Sequence, residues 1–209
     1  MSTPGTAEIE AVIFDIGGVL IRIEIGAALQ SVASTLKRPA AGLSALYQHQ
    51  ILIDFETGRV SAAEFHGAIE RMLGCPFPFT NFCETWNSIF QDEIATTVAL
   101  LEQLKRRPGL KVGVLSNTNS IHLAWLRERM EVLRGIEHLY ASNELGYRKP
   151  EPESYREVLK RMNVPAERAV FVDDLAVNVA GAQAVGMRVI HATTPEAVSA
   201  GLAPLLQSR

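Results

Sequence analysis

The 209-residue chain has few cysteines and no long apolar run. Cys75 and Cys83 are its only cysteines. Their spacing fits neither a zinc site nor a redox pair, so we expect two thiols that pack as small side chains. No stretch approaches the roughly 18 apolar residues that a membrane span needs, so no membrane partner is expected. The first ten residues lack the basic start and apolar centre of a signal peptide, which makes the cytoplasm the expected location.

An excess of charge of one sign is also missing. The net charge is −3, and no basic run is present, so we expect no nucleic-acid partner. Hydrophobic residues make up 47% and charged residues 21% of the chain, which is an ordinary globular balance. The length allows one α/β core with a modest appendage. Nothing in this composition indicates an oligomeric state.

Five short apolar runs end abruptly in polar residues, a pattern typical of strands buried on both faces of a parallel sheet. The runs are Ala11–Phe14, Lys111–Leu115, Leu139–Ala141, Ala169–Val172 and Arg188–Ile190. Apolar residues at helical spacing lie between the later runs, in Ile121–Met130, Ser154–Met162 and Val177–Val185. This alternation of strands and helices predicts an α/β fold with a doubly wound parallel sheet, a Rossmann-like core.

The connection between the first two predicted strands is too long for a simple crossover. More than ninety residues separate Phe14 from Lys111, whereas a crossover takes about a dozen to thirty. The interval contains helical patterns such as Ala62–Leu73, but no run in it predicts a strand, and Val98–Leu104 has the spacing of the helix that completes the crossover. We therefore predict a core of residues 1–20 and 93–209, with a helical cap of residues 21–92 inserted beside the ligand-binding edge of the sheet.

Polar side chains follow the predicted strands at that edge. They are Asp15, Ser116 with Asn117, and Asp173 with Asp174, and Lys149 lies in a nearby loop. Three carboxylates cannot crowd together without a cation, and hard oxygen ligands suit Mg²⁺. The sequence therefore predicts a magnesium site that a bound phosphate group would share.

Four motifs in this order resemble those of haloacid dehalogenase-like hydrolases. They are Phe14-Asp-Ile-Gly-Gly-Val-Leu, Leu115-Ser-Asn, Arg148-Lys-Pro, and Phe171-Val-Asp-Asp followed by Asn178 and Gly181-Ala. Within that superfamily, Val114-Leu-Ser-Asn-Thr-Asn and Glu144-Leu-Gly-Tyr-Arg-Lys-Pro resemble bacterial sugar-1-phosphate phosphatases, notably the α-D-glucose-1-phosphate type. The resemblance implies a magnesium-dependent phosphatase that acts on a small phosphorylated metabolite, a sugar phosphate above all, with an inserted cap.

The resemblance also implies a role for each motif residue. Asp15 would attack phosphorus and carry the phosphoryl group as an acyl phosphate. The implied magnesium ligands are Asp15, Asp174 and the carbonyl of Gly17, with Asp173 as a further ligand or a residue behind the ligands. Ser116 and the amide of Asn117 would bind phosphate oxygens, and Lys149 would neutralise charge on the nucleophile and the phosphoryl group.

One departure from the family pattern concerns the proton relay. Most phosphatases of this superfamily carry a second Asp two residues after the nucleophile, and here that residue is Gly17. Hydrolytic dehalogenases use the same Asp nucleophile without metal and also lack this acid. A metal-independent dehalogenase and a non-catalytic binding protein on the same fold are therefore the alternatives. The adjacent pair Asp173 and Asp174 argues against the first, and the intact set of charged residues argues against the second.

Several other polar and aromatic residues have weaker claims to function. We expect His122, just after the second motif, to be structural or solvated. The segment Phe55–Arg59 predicts a cap turn that is solvated rather than turned towards substrate. Trp86 and Phe90 are four residues apart, which predicts that they share one helix face and belong to a core.

Overall fold

The structure is a computed structural model, which describes residues 8–26, 30 and 49–207. In chain order its strands are β1 (Ala11–Phe14), β2 (Ile21–Ile23), β3 (Phe90–Glu93), β4 (Lys111–Ser116), β5 (His138–Ala141), β6 (Ala169–Asp173) and β7 (Arg188–His191). Its helices are α1 (Gln50–Glu56), α2 (Ala62–Leu73), α3 (Phe79–Asn87), α4 (Ala95–Lys105), α5 (Ser120–Arg129), α6 (Ser142–Leu145), α7 (Pro152–Met162), α8 (Ala176–Ala184) and α9 (Pro195–Gln207).

Five of the strands form one parallel sheet in the order β5-β4-β1-β6-β7. Strand β1 lies at its centre, where Val12 pairs with Val112 of β4 and Val170 of β6. The chain moves outward from β1 in both directions, so the order reverses beside this strand. The prediction of a doubly wound α/β sheet is confirmed, and all five strands coincide with the apolar runs in the sequence.

Apolar side chains from the sheet fill a core on each of its two faces. On one face, Val12 and Phe14 of β1 pack with residues of α4, α5 and α9, such as Leu101 and Leu126. On the other face, Ile13 and its neighbours pack with α7 and α8. Because both faces are covered, the strands have continuous apolar sequences rather than alternating ones.

Helices α1, α2 and α3 form a third apolar cluster, centred on Phe65. The Phe65 ring stacks on Phe55 of α1 at a centroid distance of 4.4 Å and lies 5.2 Å from Trp86 of α3. Helix α2 begins with a capping box, in which Ser61 accepts a hydrogen bond from the Glu64 amide and the Glu64 carboxylate accepts one from the Ser61 amide. The helical segment Ala62–Leu73 has the bounds that the sequence predicts.

The expectation that the inserted interval contains no strand is wrong. Strands β2 and β3 pair antiparallel as a two-stranded ribbon, with Ile21 opposite Glu93 and Ile23 opposite Phe90. The sequence pattern does not predict the ribbon, because its strands are three and four residues long and β3 contains the polar run Gln-Asp-Glu. The cap boundaries 21–92 stay a prediction, and residues 27–29 and 31–48 of that interval lie outside the described residues.

Both cysteines are free thiols that are partly buried against the cluster around Phe65. None of the helices in the described part of the chain is long and apolar enough to cross a membrane.

Candidate active site

A buried lysine joins two carboxylates at the C-terminal edge of the sheet. Lys149 Nζ lies 2.8 Å from Oδ1 of Asp15, the residue after β1, and 2.7 Å from Oδ2 of Asp173, the last residue of β6. The three side chains are almost fully buried, Asp173 completely. Because a buried charge is costly unless it is paired, both carboxylates depend on Lys149, and Lys149 depends on them.

Asp173 has all of its hydrogen-bonding capacity engaged within the protein. Its Oδ2 accepts from Lys149 at 2.7 Å and from Asn178 Nδ2 at 3.1 Å, and its Oδ1 accepts from the Leu175 amide at 2.8 Å and from Asn178 at 3.0 Å. A carboxylate offers about four lone-pair positions, and four contacts occupy them. Asp173 does not line the cavity that the site opens into, whereas Asp15 and Asp174 do.

Asp174 approaches the loop after β1 closely. A Cβ atom on Gly18 would lie 2.3 Å from Asp174 Oδ2, and Gly18 has a φ of +71°, so this position requires glycine for two reasons. Carboxylate oxygens of Asp15, Asp173 and Asp174 lie within 4.8 Å of one another. This all-oxygen, anionic donor set fits a small hard cation such as Mg²⁺, with Asp15 and Asp174 on the open side.

Ser116 and Asn117 lead from the end of β4 towards helix α5. Ser116 is buried and lines the cavity. The Asn117 side chain donates from Nδ2 to the Lys149 carbonyl and accepts from the Lys149 amide, both at 2.8 Å. This pair of hydrogen bonds holds the Lys149 backbone at the site, a task that the sequence did not reveal. The N-terminus of α5 follows directly, where a negative charge is favoured.

The buried charges alter one another's protonation. Burial raises the pKa of Asp15 to about 6, although attraction to Lys149 opposes this shift. Burial alone would lower the pKa of Lys149, but the neighbouring Asp15 and Asp173 outweigh it, so the pKa is raised and the ammonium group stays charged. Burial, followed by repulsion from Asp173, raises the pKa of Asp174. A divalent cation would relieve the carboxylates of this cost.

The position two residues after Asp15 is covered by an apolar side chain. Gly17 lines the cavity, and a Cβ atom added to it would lie 2.1 Å from Cδ1 of Ile23 in β2. Gly17 is not among the glycines with a positive φ, so its backbone does not exclude a side chain. A carboxylate at this position therefore requires the end of the Ile23 side chain to move aside.

The turn after α1 contacts the site instead of facing solvent. Glu56 lines the cavity, and its Oε2 lies 2.9 Å from a guanidinium nitrogen of Arg148, the residue before Lys149. Burial raises the pKa of Glu56, which Arg148 and then Lys149 oppose. The prediction of a solvated turn is wrong for Glu56 but agrees with Arg59, which is exposed and pairs with Asp54. This contact pairs the helical cluster with the loop that carries Lys149.

His122 is buried between two aromatic side chains beside the cavity. Its ring is parallel to Trp86 at 5.4 Å and edge-on to Phe90 at 4.8 Å, and Nδ1 lies 2.9 Å from Asn87 Oδ1. The expectation of a structural residue agrees with this packing, although the ring also lines the cavity. The prediction that Trp86 and Phe90 share a helix is wrong, because α3 ends at Asn87 and Phe90 begins β3.

The comparison with known families decides what this arrangement belongs to. A family model described as haloacid dehalogenase-like hydrolase matches residues 9–186, from the start of β1 to beyond α8. The chain belongs to this family. The match spans every element that contributes to the buried lysine and its carboxylates.

Several relatives of this haloacid dehalogenase-like hydrolase are phosphatases. A sesquiterpene phosphatase from Aspergillus oryzae is 30% identical over 88% of this chain and 90% of its own. A D-ribitol-5-phosphate phosphatase from Bacteroides thetaiotaomicron is 27% identical over 82% of this chain and 85% of its own. A solved structure of a family enzyme from that bacterium, a magnesium complex, is 28% identical with a TM-score of 0.74 and covers 87% of this chain and 91% of its own.

The family and these relatives confirm the expectation of a hydrolase of the phosphatase class. The resemblance to glucose-1-phosphate phosphatases is not addressed by them. Sequence reasoning missed Ile23, the ion pair of Glu56 with Arg148, and the side-chain hydrogen bonds of Asn117. Only Glu56 carried a signal, as an acidic residue of the cap segment Phe55–Arg59 for which a basic partner such as Arg148 could have been sought.

Proposed function

We propose that the chain is a magnesium-dependent phosphatase that hydrolyses a small phosphorylated metabolite through an aspartyl-phosphate on Asp15. The observation that carries the proposal is Lys149, buried and charged between Asp15 and Asp173, with Asp174 on the open side of the same cavity. A cation bound by Asp15 and Asp174 would supply charge neutralisation and orient the phosphate. Asp173 then acts as a support for Lys149 and not as a ligand.

The protein's own groups account for the two chemical steps. An Asp15 carboxylate oxygen bonds to phosphorus while the ester P–O bond breaks, and the electron pair leaves on the alcohol oxygen, which takes up a proton. Water then attacks phosphorus, which frees inorganic phosphate and restores the carboxylate. Lys149, 2.8 Å from Asp15, stabilises negative charge that develops on the transferred oxygens. Ser116 and the amides leading into α5 bind those oxygens.

The substrate class that the sequence resemblance implies is a sugar phosphate, and the ribitol-phosphate relative supports it. The relative that is named for a sesquiterpene substrate supports an apolar class instead. The proposed step, transfer of a phosphoryl group to Asp15, is the same for either class of substrate. In either case the missing acid at Gly17 favours leaving groups that are weak bases, such as an anomeric or aryl oxygen.

The proposal is tested by phosphate release from a panel of phosphorylated metabolites and aryl phosphates. We expect release with Mg²⁺, none after chelation, full recovery on adding Mg²⁺ back, and inhibition by Ca²⁺, which prefers longer bonds and more ligands. Halide release from 2-haloacids is measured in parallel. Undiminished activity in excess chelator, with halide as the product, would replace the phosphatase by the dehalogenase.

A further inference from the structure

The candidate site opens into a cavity of about 570 Å³. Its polar lining comes from the edge of the main sheet and the loop around Lys149. The ribbon, α1, α3 and α5 contribute apolar side chains, among them Ile23, Leu52, Trp86, Ile89, Phe90 and Leu126. The phosphate-binding edge of the sheet therefore faces a largely hydrophobic wall.

Several polar groups in this wall are engaged with protein partners. Glu56 and Arg148 neutralise each other at 2.9 Å, and His122 uses Nδ1 in its hydrogen bond to Asn87. Asn178 donates to Asp173. Apart from Asp15, Lys149 and Asp174 at the sheet edge, Arg22 is the remaining charged side chain among the described lining residues, and it is exposed. Thr118 Oγ1 and Arg148 Nε are buried without a hydrogen-bond partner in the described part of the chain. The wall thus offers few hydrogen bonds to a bound molecule.

Two exposed apolar side chains extend the wall. Ile25 is 41% exposed and Leu175 is 52% exposed, and both belong to the lining. They come from different parts of the chain, Ile25 from the segment after β2 and Leu175 from the residue before α8. An apolar ligand that covers such exposed apolar side chains removes their surface from water, and this burial favours binding.

We propose that the substrate is the phosphate monoester of an apolar alcohol, above all an aromatic one, whose body lies against Ile23, Ile25, Leu52, Phe90 and Leu175. This inference rests on the proposed phosphatase function and assigns the leaving group. A sugar of the same size would bury several hydroxyl groups against this wall, and each one left without a partner costs binding. The Ile23 methyl group beside Gly17 belongs to the same apolar surface.

A series of 4-alkylphenyl phosphates isolates the apolar contribution. The methyl, ethyl and propyl members have leaving groups of nearly equal basicity, so their KM values report contact with the alkyl chain. We expect KM to fall by about two- to fourfold for each methylene group that the wall covers. The 4-hydroxymethyl compound, which has the size of the ethyl one, should show a higher KM. Glucose 1-phosphate should have a lower kcat/KM than the propyl compound.

A matched pair of variants assigns the effect to the cavity. In Ile25→Ser, KM should change little from one alkyl chain to the next. Met72→Ser removes an equally exposed apolar side chain on α2, away from the lining, and should leave the series as in the wild type. A flat series in the wild type, or a preference for glucose 1-phosphate, overturns the apolar substrate while the phosphatase stands. Failure to release phosphate from any ester overturns both.

Discussion

At the scale of single residues, the neighbouring carboxylates Asp173 and Asp174 have different surroundings. Asp173 is fully buried and makes four hydrogen bonds, whereas Asp174 lines the cavity beside Gly18. The sequence presents two identical side chains in succession and predicts a cation nearby. It cannot say which one faces the cation, because that depends on where the strand ends relative to the loop after β1.

Alanine substitutions separate the two residues. Asp174→Ala should weaken Mg²⁺ binding strongly, with little loss of stability in the metal-free protein. Asp173→Ala should instead lower the free energy of unfolding by about 3–5 kcal/mol, because it removes a partner of buried Lys149. Calorimetric titration with Mg²⁺ and urea unfolding measure the two quantities, and exposed Asp92→Ala serves as the control. The reverse ranking would mean that Asp173 is the ligand.

Gly17 and Ile23 form the second pair to be tested at this scale. Gly17→Asp alone should gain less than the double variant, because the Ile23 methyl group, 2.1 Å from the added Cβ, must first move aside. Gly17→Asp combined with Ile23→Ala makes room for a general acid, which contributes about 10²–10⁴-fold where protonation is difficult. We expect kcat/KM for glucose 6-phosphate to rise at least about tenfold, and for an aryl phosphate much less. An equal gain in Ile23→Ala alone would contradict this explanation.

At the scale of elements, α3, β3 and α5 enclose His122. Burial lowers the pKa of His122 to about 3, while an unfolded chain takes up this proton near 6.5. Between these values the unfolded state binds more protons, so acid favours unfolding. Neutral His122 therefore does not lower the free energy of unfolding above about pH 6.5. As the pH falls from 6.5 towards 3, the cost of keeping His122 neutral lowers that free energy progressively.

Urea unfolding as a function of pH checks this expectation. The wild type should lose up to about 1.4 kcal/mol per pH unit more than His122→Gln between pH 6 and 4. His49→Gln, which changes an exposed histidine, should follow the wild type. Parallel curves for the wild type and His122→Gln would show that the ring is protonated inside the folded protein.

The sequence predicted elements unevenly, and the reason is their burial. Buried strands such as Ala169–Asp173 have continuous apolar sequences that mark both ends. In the ribbon, β2 and β3 pair with each other as a two-stranded sheet, and β3 has partly exposed polar residues. Neither strand therefore shows a clear pattern of apolar residues in the sequence. Helix α6 is four residues long and gave no signal either. Contacts made by such elements, as between Ile23 and Gly17, are consequently outside the reach of pattern reasoning.

At the scale of the whole molecule, parallel strand order brings distant residues to one edge. Although Asp15 and Asp173 are 158 positions apart in the sequence (173 − 15), a carboxylate oxygen of each lies within 2.8 Å of Lys149 Nζ. That meeting could be predicted, because the carboxyl ends of parallel strands share an edge. The wall opposite this edge could not, because it is assembled from short elements whose positions depend on tertiary packing. The roles of the individual site residues stay a prediction.

Rapid-quench mass spectrometry tests most directly whether Asp15 carries the phosphoryl group during turnover. The protein is mixed with Mg²⁺ and an aryl phosphate, quenched in acid during the first turnover, and digested. The peptide that contains Asp15 should gain the mass of one phosphoryl group, which decays as phosphate appears. Asp15→Asn should remain folded by circular dichroism and show neither the modified peptide nor turnover. Phosphate release without modification of Asp15, or by the Asn variant, would contradict the proposed mechanism.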